Sequence, residues 1–70
     1  MCMAEKIKIL LIKRNMTLKE LAEALNSTPS NLSNKLRRDN FPVNELVEIA
    51  KILDCEFVAN FKMKDSKEII

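Results

Sequence analysis

Seventy residues, nearly half of them apolar and almost a third charged, describe one folded domain close to the size at which a single core is only just sufficient. Twelve Lys and Arg against ten Asp and Glu leave a formal charge of +2, an excess too slight to imply a polyanion partner without knowing where the charges sit. Histidine is absent, and Cys2 and Cys55 stand far apart with no second thiol nearby, so nothing activates the hydroxyls or sets a metal-ligand spacing, and no enzyme, metal or cofactor is expected.

The N-terminal stretch MCMAEKIKILLIKR interleaves lysines with aliphatics, which makes neither a leader core nor a membrane span; a cytoplasmic protein without a membrane partner is expected. Met3, Ile7, Leu10 and Leu11 recur at helical spacing, with Ile9 and Ile12 broadening the same face, and Arg14-Asn15 closes this first helix. Thr17 followed three residues later by Glu20 is a capping-box pair, and Leu18, Leu21, Ala22 and Leu25 form a second, short helix that Asn26 ends. Such turns commonly use glycine. Asparagine is the residue next best able to adopt a left-handed conformation, so a chain with no glycine still makes the turn at Asn26.

Thr28-Pro29 starts a third helix with a threonine cap and a proline at the first helical position, where the missing N–H is no loss. Leu32 and Leu36 stack on its buried side, which puts Ser30, Asn31, Asn34, Arg37 and Arg38 on the opposite arc. Asp39-Asn40-Phe41-Pro42 is a loop, because the residue before proline disfavours helix. Val43, Leu46, Ile49, Ala50 and Leu53 then give the cleanest amphipathic helix of the chain.

Beyond Asp54 the period changes from about 3.6 to two. Phe57, Ala59, Phe61 and Met63 alternate with Val58, Asn60, Lys62 and Lys64, and this predicts a β-strand. With no second strand candidate in the sequence, its edge is expected to pair with the same strand of a second copy, placing Phe57, Ala59, Phe61 and Met63 in a homodimer interface.

Two short helices joined by a tight turn, the second polar on its outer face, form a helix-turn-helix arrangement. From Met16 to Phe57 the sequence resembles the helix-turn-helix domain of the Cro and phage-repressor superfamily of small bacterial transcriptional regulators: TLKELAEAL is similar to its second helix, STPSNLSNKL to its turn and recognition helix, and NELVEIAKILDCEF to the helix that follows. The resemblance implies a mainly α, lambda-repressor-like four-helix domain, expected over residues 1–54, and the alternation makes residues 55–70 the C-terminal strand and tail for dimerisation. Leu18 stands where the family often carries a Gln that reaches a DNA phosphate, and Lys35 where it is more often aliphatic, with Leu36 beside it supplying the apolar contact.

In that setting Ser30, Asn31 and Asn34 are expected to read base edges, Asn being suited to adenine in the major groove. Arg37 and Arg38 are expected to clamp phosphates, or to reach guanine where the helix lies deep enough. Thr17 and Thr28, besides their capping roles, join Lys19 and Asn40 as expected phosphate contacts, aided by the N–H groups at the starts of the second and third helices. The expected function is that of a sequence-specific regulator of transcription, a repressor that inserts its third helix into double-stranded DNA as a homodimer and takes no small-molecule ligand. The competing reading is a protein-interaction adaptor, or an antitoxin-like protein, whose C-terminal strand captures a partner.

Overall fold

The computed structural model describes residues 2–70. Its helices are α1 (Met3–Lys13), α2 (Leu18–Ala24), α3 (Pro29–Arg38) and α4 (Val43–Ile52), in the order the hydrophobic spacing predicts. One stripe from each meets in the core: Ala4, Ile7 and Leu11; Leu21 and Ala22; Leu32 and Leu36; Leu46, Ile49 and Ala50, with Leu53 just past the end of α4. Leu21, Leu32, Ile49 and Leu53 are the largest fully buried side chains, each contributing about 1.5–3 kcal/mol of transfer free energy. α2 packs against both α3 and α4, and Ala22 at that junction has no exposed surface, as the close crossing of two helices requires.

Two expectations about the core fail for a geometric reason. Ile9 and Ile12 are 39% and 77% exposed, because at 100° per residue Ile9 falls opposite the Ala4, Ile7 and Leu11 stripe and Ile12 about a quarter-turn outside it, so neither widens the buried face. Val43 follows the stripe of α4 by period but is its first residue and stays exposed.

Lacking glycine, the chain closes its helices with Asn and Asp. Asn15, Asn26 and Asp54 have φ of 52°, 56° and 54°, and each makes the paired hydrogen bonds of a Schellman closure. After α2, Asn26 N–H donates to Glu23 O at 3.0 Å and Ser27 N–H to Ala22 O at 2.8 Å. Asp39, at φ 53°, ends α3 in the same left-handed conformation.

The helix ends are also tied to one another. Cys2 gives α1 no side-chain cap; Asp39 Oδ1 supplies one, accepting from Ala4 N–H at 2.7 Å. At the other end of α1, Arg14 donates from Nε to Leu53 O at 2.8 Å and from Nη2 to Asp54 O at 2.9 Å. These are carbonyls that the end of α4 leaves without an intrahelical partner.

The tail corrects the predicted strand. Cys55 and Phe57 are half-buried against the chain's own core, so Phe57 is not part of a free apolar edge. Farther on, Phe61 and Ile70 exchange backbone hydrogen bonds at 2.9 and 2.8 Å, and Met63 N–H donates to Glu68 O at 2.7 Å, with Lys62 bridged antiparallel to Ile69. The segment therefore folds back on residues 68–70, and among the described residues no strand runs from Phe57 to Met63 to pair across a dimer. The reversal is made locally: Asp65 Oδ1 accepts from Ser66 N–H, Ser66 Oγ accepts from Glu68 N–H, and Lys67 turns at φ 63°. Three residues, Glu68-Ile69-Ile70, are too short to register as a strand by alternation.

Candidate nucleic-acid interface

α2 and α3 carry the candidate site, and their N-termini differ. At α2 the capping box is complete: Thr17 Oγ1 accepts from Glu20 N–H at 3.1 Å and Glu20 Oε1 accepts from Thr17 N–H at 2.9 Å. The Thr17 backbone N–H first, and its hydroxyl second, hold the Glu20 carboxyl below its ordinary range. An anion thus already occupies the start of α2, and a phosphate reaching Thr17 has to share that end with a carboxylate. At α3, Thr28 Oγ1 accepts from Asn31 N–H at 3.1 Å, Pro29 occupies the first turn and no acid is present there. The positive end of α3 is the less encumbered of the two.

Along α3 the buried Leu32 and Leu36 fix the rotation of the helix. Ser30, Asn31, Asn34, Arg37 and Arg38 consequently lie on the exposed arc. Lys35, between the two arcs, is held by Glu45 of α4 at 2.8 and 2.9 Å, which neutralises it and braces α3 against α4. Asp39 would set a negative charge beside Arg37 and Arg38, but its carboxylate is turned to the N-terminus of α1. Lys19 and Asn40 are exposed as well.

Two adjoining depressions organise this surface. One is lined by Leu18, Pro29, Ser30, Ser33 and Asn34, so that the first residue of α2 lies beside two of the three expected base readers. The other has an apolar floor of Leu11, Leu18 and Leu36 and brings Arg37 together with Lys8 of α1. Asn31 lines neither depression. Ser33 and Lys8 were not singled out from the sequence. Ser33 could have been, since it lies three residues after Ser30 and four before Arg37; Lys8 could not, because no local pattern relates α1 to α3.

Among the described residues no group of three or more His, Cys, Asp or Glu side chains could hold a metal ion, and no helix is long and apolar enough to cross a membrane. The arrangement offers short polar side chains and arginines on one exposed helix, with a capped helix start beside them, which is a surface for hydrogen-bonding to base edges and phosphates. A family model described as Cro/C1-type HTH DNA-binding domain matches residues 6–58, a span that takes in α2, α3, α4 and most of α1. No curated protein and no solved structure matches the chain.

Proposed function

The chain belongs to the Cro/C1-type helix-turn-helix DNA-binding domain family, and from that premise we infer that it is a sequence-specific transcriptional repressor that places α3 in the major groove as a homodimer. The observation that carries this reading is the exposed arc of α3, where polar and basic side chains run the length of the helix with no acid among them. In this reading Ser30, Asn31 and Asn34 contact base edges; Arg37, Arg38, Thr28 and Asn40 hold phosphates, with Lys19 at the margin and Thr17 contributing beside the Glu20 carboxylate. Ser33 and Lys8 extend the contact toward α2 and α1. Occupancy of an operator then excludes polymerase or another regulator.

Residues 1–54 form the DNA-binding part and 55–70 the dimerising part, through Phe61, Met63 and the neighbouring Ala59 rather than through an added strand. Phe57 contributes to holding the tail against the core. The adaptor reading rested on a free strand from Phe57 to Met63, and the backbone of Phe61 and Met63 is bonded instead to Ile70 and Glu68 within the tail, which favours that reading less.

The deciding experiment is selection of bound duplexes from a random pool at two salt concentrations. A recovered inverted-repeat motif, with affinity falling as salt rises, is the expected result. Recovery of unbiased sequence would end the claim of specific recognition.

A further inference from the structure

Leu18 is the one large aliphatic side chain in the depression it shares with Pro29, Ser30, Ser33 and Asn34. It is only half-buried, so part of its surface stays open on the side where the base readers lie. An alkyl group has nothing to offer a phosphate oxygen, and the pyrrolidine ring of Pro29, which has no N–H, has nothing to offer one either. On the floor of the major groove a single group matches such a surface: the C5-methyl of thymine. The neighbouring Asn34 amide carries a donor and an acceptor, the pair that matches N7 and N6 of adenine. The hydroxyls of Ser30 and Ser33 donate or accept equally well and so discriminate little.

We propose that Leu18 and Pro29 form a methyl-reading patch beside Asn34, so that each half-site contains an A·T pair, or two adjacent ones, with adenine bonded to Asn34 and thymine methyl seated against Leu18. The proposal rests on α3 lying in the major groove and names what that groove must contain.

The test begins from the duplex selected above and replaces each thymine in turn by deoxyuridine, which removes the methyl group and nothing else. One thymine per half-site should be sensitive, with the dissociation constant rising about four-fold, the change expected for exposing one buried carbon. Leu18→Ala should bind the thymine and uracil duplexes alike, and Leu18→Met, which keeps an alkyl chain, should still prefer thymine. Tolerance of uracil at every position by the parent protein, with the selected motif otherwise respected, would overturn the methyl patch and leave the DNA-binding reading standing. Full discrimination by Leu18→Ala would overturn it too. Failure of the parent to prefer any duplex would overturn both. The scan on the parent protein decides the matter even where a variant does not fold.

Discussion

Asn34 and Arg38 lie one turn apart on the same exposed arc of α3, yet their removal should be felt differently. On the base-edge role proposed for it, Asn34→Ala should cost about 1–3 kcal/mol on the preferred duplex and relax the choice at one base pair. Arg38→Ala should weaken preferred and random duplexes alike and flatten the salt dependence, as loss of a phosphate contact does. Fluorescence anisotropy titrations on both duplexes separate the two patterns, and identical behaviour of the variants would remove both assignments. Asn26 is tested by stability instead of binding. At φ 56°, Asn26→Val should destabilise the domain by roughly 1–2 kcal/mol, since a branched side chain is strongly disfavoured there. That corresponds to a fall in Tm on the order of 5–10 °C, whereas Asn26→Gly should leave it close to the parent value. A Val variant that melted with the parent would contradict the left-handed turn.

The helix ends of this small fold are tied to one another as well as packed along their interiors. Asp39 closes α3 and caps α1 at once, so Asp39→Ala removes both a residue tolerant of positive φ and an acceptor for Ala4 N–H. A loss of about 1–2 kcal/mol is expected, with faster amide exchange in the first turn of α1; Asp39→Asn keeps the acceptor and the backbone tolerance and should recover most of it. Unchanged exchange at Ala4 in the Ala variant would show that the cap is not used in solution. At α2 the Glu20 carboxyl sits below its ordinary range because the Thr17 N–H and hydroxyl favour the ionised form. A folded-state pKa below the unfolded one means that the cap's contribution is present above the unfolded value and is lost as pH falls through the folded value. The parent should therefore lose stability in acid over that window more steeply than Glu20→Gln, and parallel melting curves across it would argue against the capping box.

As a whole, the molecule is more extended than its length requires. Its radius of gyration is 13.7 Å, against about 11 Å for a compact chain of this size. Every residue from Val58 onward is exposed, Phe61 to 82%. A two-stranded hairpin is marginal by itself, and Phe61, Ile69 and Ile70 on it, with Val58 just before it, are exposed apolar side chains among its charged residues, which fits a contact covered in a dimer. The parent is expected to be dimeric by size exclusion with light scattering, and a chain ending at Asn60, which keeps Phe57 on the core, should be monomeric and bind its operator more weakly. A parent that stays monomeric at concentrations where it occupies the operator would rule out the tail as a dimer contact. An isologous dimer relates the two α3 helices by a two-fold axis and lets them address half-sites about one DNA turn apart.

Much of this was legible in residue order because it depends on spacing alone. The Thr17–Glu20 box, the Thr28-Pro29 start, the left-handed Asn26 and the exposed arc of α3 all follow from contacts three or four residues apart, and the structure contains each of them. Apolar character without its angle was a weaker guide, as Ile9 and Ile12 show. The Asp39 cap on α1 and the Arg14 clamp on α4 join residues 35 and 39 apart. No periodicity encodes these, since they exist only once packed helices bring their ends together. The same holds for Leu18 beside Pro29 and Asn34. The tail, too, was settled by a turn at Ser66 and Lys67 that supplied a partner three residues long, so Phe61 and Met63 find backbone partners within the chain itself.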